Sequence, residues 1–341
     1  MKTVILSPQS DKTAMQTAAT LIKAGEVVGM PTETVYGLAA NALNGAAVEK
    51  IFRAKGRPQD NPLIVHIADF QQIYDLCPHV PDSAARLAEA FWPGPLTMIV
   101  PKGDCIPNEV SCGLDTVGIR LPSHPMAREL IRAAGVPLAA PSANTSGRPS
   151  TTTAEHVLND MDGKIAAILD GGACGVGVES TVVSLAGEKP RLLRPGGITL
   201  EQLETVLGEV EVDRALYEKI SDDTRVSAPG MKYRHYAPKA PVTAVRGAPA
   251  ESAAYILAHA ARADGVLCFD ECAAAFAGLF VVSFGRSDDL PTQAREVFDA
   301  LRAFDETDVH TIWAQCPSDE GLGLAVSNRI KKAAGFHIIE L

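Results

Sequence analysis

Lys55 and Arg57 stand two residues apart at the end of a stretch with apolar residues at helical spacing, and Asn61, Pro62 and His66 follow closely. Alone, Arg53, Lys55 and Arg57 would read as a solvated basic helix end that complements the helix dipole. Arg120 and Arg194 also fall beside strand ends. Four cations at element ends favour the capture of a carboxylate or polyphosphate by charge-assisted hydrogen bonds. No GxxxxGK[ST] is present, so nucleotide phosphates would have to be held by side-chain cations and loop amides. Ser142, Ser146, Ser150 and Ser180 lack a GxSxG elbow and are better hydrogen-bond donors than nucleophiles. His66 on an apolar strand, taken singly, is more often a satisfied core histidine, and Tyr36 more often a packing residue.

These residues need elements to hold them. Val27 to Met30 is an apolar run that reads as a buried strand leading into Pro31-Thr32-Glu33-Thr34. The chain should then turn through Gly37 and Asn41 into an amphipathic helix. Asn44 is a fitting N-cap for it, with Ala47, Val48, Ile51 and Phe52 behind. Gly56 suits a left-handed stop, and Pro58 disfavours helix at the residue before it. A second turn at Asn61-Pro62 leads to a strand over 63–67 carrying His66.

Further on, the pattern predicts a helix over 83–91, strands over 96–100 and 117–121, a helix over 125–134 stopped by Gly135, and a strand over 136–140. That strand delivers Pro141 to Ser150, a loop dense in hydroxyls and turn residues, including Ser142, Asn144 and Ser150. A helix over 154–161, a strand over 165–169, a glycine-bearing loop to Gly177 and the segment Val178-Glu179-Ser180-Thr181 come next. Thr199 with Gln202 can form a capping box for a helix after Arg194-Pro195-Gly196-Gly197. The pattern breaks over about 208–241, a polar stretch ending in SAPGMKYRHYAPKAP. Its aromatic and basic residues argue for a linker that folds back over a site rather than a floppy tether. After Pro241 strands over 242–245, 265–269, 279–284 and 311–314 alternate with helices, one of them over 327–334, as in a small doubly wound domain.

A chain of 341 residues suggests two domains. The expected division is a larger α/β domain over 1–208, a linker over 209–241 and a small α/β domain over 242–341. The net charge of −10 counts against extended nucleic-acid binding and makes any anion site a local cluster. Seven cysteines without CxxC pairs argue against a disulfide framework, and Cys268 and Cys272 read as buried small apolar residues. The eight histidines show no metal-ligand spacing, so no protein-held metal is expected. No apolar run is long enough to span a membrane, and the start reads as a first strand rather than a signal peptide, which makes a cytoplasmic location the expectation.

PTETVYGL, KGRPQDNPLIVHI, WPGPLT, GIRLPSHP, APSANTSGRPS, GVESTVV and LRPG occur in this order over about residues 10–208. The set resembles the YrdC-domain family of L-threonylcarbamoyladenylate synthases. The linker and the following α/β domain resemble its long, two-domain form. The resemblance implies a twisted mixed α/β sheet with a concave, locally basic face, plus a smaller Rossmann-like doubly wound C-terminal domain. It implies synthesis of threonylcarbamoyl-AMP and pyrophosphate from L-threonine, bicarbonate or CO2, and ATP. The product would pass to the tRNA threonylcarbamoyl-transfer machinery, for an adenosine in tRNAs reading codons that begin with A. Thr32, Thr34, His66, Arg120 and Ser180 would then bind threonine. Lys55, Arg57, Asn61, Ser142, Asn144, Ser150, Arg194 and Tyr236 would bind ATP. Lys55, Arg57 and Arg120 would offset charge in the transition state. Mg2+ would accompany ATP, the linker over 228–238 would act as a lid, and tight direct tRNA binding is not expected. The other readings are a threonine- and ATP-binding sensor, a tRNA-binding module without turnover, and a related carbamoyl-adenylate former.

Overall fold

The amphipathic stretch after Asn44 folds as the helix Gly45–Lys55. Asn44 caps it by accepting from the Ala47 N–H at 3.2 Å, and Gly56 ends it at φ +64°. Ala47, Val48, Ile51 and Phe52 are buried against the sheet, which explains why the helix forms and which way it faces. Thr199 and Gln202 likewise form a reciprocal cap on Leu200–Leu207. The computed structural model describes residues 2–218 and 235–341, so residues 228–234 of the expected lid lie outside it.

Among the described residues, eleven strands form one mixed sheet. Its spatial order is Val4–Leu6, Ala167–Leu169, Val28–Met30, Gly37–Asn41, Leu138–Ala139, Ile64–His66, Thr116–Arg120, Leu96–Pro101, Thr181–Ser184, Arg191–Arg194 and Glu211–Val212. Five further strands make a separate, wholly parallel sheet in the order Phe280–Ser283, Gly265–Cys268, Ile312–Cys316, Val242–Arg246 and Ile338–Glu340. Helices cover both, as the alternating pattern predicts, and the fold is the expected two-part α/β architecture.

Gly37–Asn41 departs from the expected turn. It is a strand, antiparallel to Val28–Met30. Leu38, Ala39 and Ala40 are all fully buried, so the strand carries no polar alternation to announce it. The strand expected over 136–140 shrinks to Leu138–Ala139, and the final helix starts earlier, at Gly323. Cys268 lies on a strand and Cys272 on the short helix after it, both as buried free thiols.

The C-terminal half is docked tightly onto the larger sheet. Val35 and Val178 pack into the same apolar cluster as Phe298, Val326 and Ile330. Gly177, at φ +83°, lets the backbones meet: a Cβ there would lie 2.3 Å from the Arg295 Cα. Arg302 crosses the junction to bond Asp160 at 3.1 Å and the carbonyls of Pro149 and Ser150. Asn328 Nδ2 donates to the Leu216 carbonyl at 3.0 Å.

Candidate active site

Strand register gathers the first part of the site. His66 pairs with Arg120, Arg120 with Thr97, Thr97 with Val182 and Val182 with Arg194. Directly paired residues project from the same sheet face. One transverse row therefore carries an imidazole, a guanidinium and a hydroxyl, and past a break in register between Leu192 and Arg194 a second guanidinium lines the same cleft. Gly118, two residues before Arg120, admits Ile99 and Thr97, which would stand 3.2 Å from a Cβ there.

Arg120 Nη1 donates to Thr34 Oγ at 2.9 Å, and Nη2 pairs with Glu33 at 2.7 Å. Thr32 Oγ lies 2.9 Å from Thr34 Oγ and donates to the Val35 carbonyl at 2.6 Å. The chain thus has a direction: Thr34 accepts from Arg120 and donates to Thr32, which donates to the backbone. Burial opposes ionisation of Glu33, yet Arg120 holds its pKa below the usual carboxylate value. Burial, with Arg120 beside it, pushes His66 down to about 3, so the ring is neutral at physiological pH. Its Nδ1 has no hydrogen-bond partner among the described residues. Ser180 Oγ sits 2.8 Å from Thr97 Oγ and accepts from Arg194 Nη2 at 3.0 Å, while Arg194 Nε donates to the Ser180 carbonyl. Gly196 permits this close passage: a Cβ would lie 2.3 Å from the Thr181 nitrogen and 2.4 Å from the Glu179 carbonyl.

The second part is built on the helix end and the hydroxyl loop. Lys55 Nζ donates to the carbonyls of Ser142 and Asn144, each at 2.7 Å, and to Asn144 Oδ1 at 3.0 Å. Arg57 donates to the carbonyls of Asn61 and Pro62 at 3.0 and 3.1 Å. Burial, reinforced by Arg57, pulls Lys55 well below the usual lysine value. Burial lowers Arg57 to about 10, still protonated at neutral pH.

These groups face one cleft. Thr32, Thr34, His66, Arg120 and Ser180 line it, as do Lys55, Arg57, Ser142, Asn144, Arg194 and Tyr236. Asn61 and Ser150 do not. Asn61 contributes its carbonyl to Arg57, and the Ser150 hydroxyl is committed to Glu179 Oε1 at 2.5 Å. Both contact residues of the lining.

Sequence reasoning missed Glu33, Glu179 and His235 as parts of the site. Glu33 and Glu179 sit inside two of the motifs and could have been found there. His235 precedes Tyr236 in the linker, and both line the cleft. Tyr236 is buried at φ +63°, with its ring 5.2 Å from Phe298 of the C-terminal half.

Among the described residues no cluster of three or more His, Cys, Asp or Glu could hold a metal ion. Glu33 and Glu179 are each paired with an arginine. No described helix is long and apolar enough to cross a membrane.

Known proteins place this geometry. The Sua5–YciO–YrdC family, described as "Telomere recombination", matches residues 20–196, and a threonylcarbamoyl-AMP synthase C-terminal domain matches residues 198–335. A Bacillus subtilis protein named threonylcarbamoyl-AMP synthase is 52% identical over 325 residues, 94% of this chain and 93% of that one. One from Pyrococcus abyssi with the same name is 47% identical over 95% of each chain. The solved structure of P. abyssi Sua5 complexed with L-threonine covers 100% of both chains, with a TM-score of 0.91 and 43% identity. A variant of that protein with a neighbouring histidine and tyrosine changed to alanine gives a TM-score of 0.92 at 44% identity, over 99% of this chain and 98% of that one. The chain belongs to the Sua5–YciO–YrdC family, in the form that carries a threonylcarbamoyl-AMP synthase C-terminal domain.

Proposed function

We propose that this cleft makes L-threonylcarbamoyl-AMP and pyrophosphate from L-threonine, bicarbonate or CO2, and ATP, and that the protein is a threonylcarbamoyl-AMP synthase of the tRNA-modification route. The observation that carries this reading is the pairing of a hydroxyl-rich, arginine-bearing pocket with a lysine-arginine cradle in one cleft. The first suits a small hydroxylated zwitterion, and the second suits a triphosphate. The threonine-bound relative supports threonine as the substrate of the first.

In this reading Arg120 takes the threonine carboxylate, with Glu33 fixing the guanidinium from behind. Thr32, Thr34 and Ser180 address the hydroxyl and amine. His66 is neutral and supplies a polar contact without adding charge. The amine attacks CO2, loses a proton and becomes a carbamate. A carbamate oxygen then attacks the α-phosphorus of ATP as the bond to pyrophosphate breaks. Two anions must approach each other, so Lys55, Arg57 and Arg194 lower the barrier by facing the charge that builds between them. Ser142 and Asn144 hold Lys55 in place, and Asn61 and Ser150 hold Arg57 and Glu179. Tyr236 shields the carbamate from water at the mouth of the cleft.

The paired carboxylates do not fit a resident metal, so Mg2+ enters as part of the MgATP substrate. The product, a mixed anhydride, is consumed by the tRNA threonylcarbamoyl-transfer machinery.

The test is pyrophosphate release by purified protein with threonine or bicarbonate omitted in turn. Release should need both, with serine a much poorer substrate. Release without threonine would overturn the reading, and binding of threonine and ATP without release would mark a sensor instead.

A further inference from the structure

Glu179 is a carboxylate in the lining of a cleft that also presents the cations Lys55, Arg57, Arg120 and Arg194. Left bare, it would repel a triphosphate. Its direct ion pair comes from the other domain. Arg329, on the helix Gly323–Ala333, is fully buried and does not line the cleft. Its Nε donates to Glu179 Oε2 at 2.7 Å, its Nη2 to the Pro195 carbonyl at 2.9 Å and its Nη1 to Asn328 Oδ1 at 3.1 Å. The guanidinium carbon lies 5.3 Å from the ring centroid of Tyr236, which lines the cleft. Ser150 takes the other carboxylate oxygen, so Glu179 is held from both sides. Pro195 follows Arg194, which ties the same guanidinium to the backbone beside a cleft cation.

We infer that Arg329 is a positioning residue of the synthase: it neutralises and fixes Glu179 so that the nucleotide side of the cleft stays cationic, and it makes the C-terminal domain part of the catalytic unit. The inference rests on the nucleotide-binding reading of the cleft given above. Burial would keep Glu179 from ionising, but Arg329 and Arg194 outweigh it and hold the group at about 2, so the compensation is needed throughout the physiological range.

A purely structural tie between domains would also place an arginine here, and a paired substitution separates the two roles. Arg329→Met strips Glu179 of its direct ion pair and leaves Arg194, a cation the nucleotide needs, as the countercharge it draws on. It should weaken binding of a non-hydrolysable ATP analogue, measured by calorimetry, by about tenfold to a hundredfold. It should also raise the KM for ATP more than it lowers kcat. Adding Glu179→Gln to Arg329→Met removes the stray charge and should restore most of the affinity. If Arg329→Met does not fold, the same comparison in Arg329→Lys applies, with a smaller loss and the same recovery. Unchanged analogue affinity in a folded Arg329 variant would overturn the inference. So would a double variant that binds no better than the single. Because analogue binding is read without turnover, failure of pyrophosphate release in the unmodified protein would sink the reaction while leaving this outcome readable.

Discussion

Two kinds of charged cluster coexist in this chain, and they differ in what holds their cations. In the cleft, Lys55, Arg57 and Arg194 are anchored by backbone carbonyls, an amide oxygen and a hydroxyl. At the domain junction and in the C-terminal sheet, the cations meet carboxylates: Arg148 and Arg302 on Asp160, Arg148 on Asp305, and Arg246 and Lys331 on Asp319. The pKa directions follow. Burial lowers Lys55, Arg57 and Arg194, whereas Arg148 is raised by Asp305 and Asp160 against burial. A cation held by neutral acceptors keeps its charge available to a ligand, and one held by a carboxylate contributes to the fold. Arg120 stands between, with a hydroxyl on one side and Glu33 on the other.

The largest effect expected from this contrast is on the cleft. Arg57→Ala, or Lys55→Ala, should lower pyrophosphate release by about a hundredfold or more. The thermal midpoint should hold or rise slightly, because a buried cation without a carboxylate is a cost to the fold. A drop in midpoint matching the loss of activity would break the comparison.

Asp160→Asn is the reverse case. It leaves the buried Arg302 guanidinium without its countercharge and should cost about 3 kcal/mol in chemical denaturation. Trp92 and Trp313, the two tryptophans, report on the two halves separately, and both unfolding signals should move.

Acid titration sharpens the comparison further. Glu179 has a folded pKa of about 2, below the ordinary 4.5. A depressed carboxylate contributes stability that is complete above its unfolded pKa and is lost as pH falls through the folded one. The junction should therefore weaken as pH drops from about 4.5 towards 2, and Glu179→Gln should flatten that part of the stability profile.

The smallest effect belongs to a solvated pair. Arg191→Ala removes a bond to Glu211 at 2.7 Å between half-exposed side chains. It should change stability by no more than about 0.5 kcal/mol, with pyrophosphate release unchanged.

Much of the site could be read from residue order because it is built from local signals. Asn44, Gly56 and the Thr199–Gln202 box are caps whose partners lie three or four residues away, and they fold as their spacing predicts. The Lys55 and Arg57 pair is placed by that helix end. The strand Gly37–Asn41 could not be read, since a strand buried on both faces shows neither alternation nor a bounding turn that differs from a loop. Asn61 and Ser150 lie outside the lining of the cleft and contact Arg57 and Glu179, an arrangement that depends on which backbones pass each other.

The sequence by itself determined the two-part α/β plan, the capped helix ends and most of the residues that meet in the cleft. Periodicity, caps and short motifs act over a few residues, and this chain states them clearly. Only the tertiary structure decided that His66, Arg120 and Thr97 share one row and Arg194 lines the same cleft, that Glu179 needs a partner, and that the partner is Arg329, 150 residues away. Strand register and charge compensation across a domain junction are set by packing between distant segments, and spacing along the chain does not encode them.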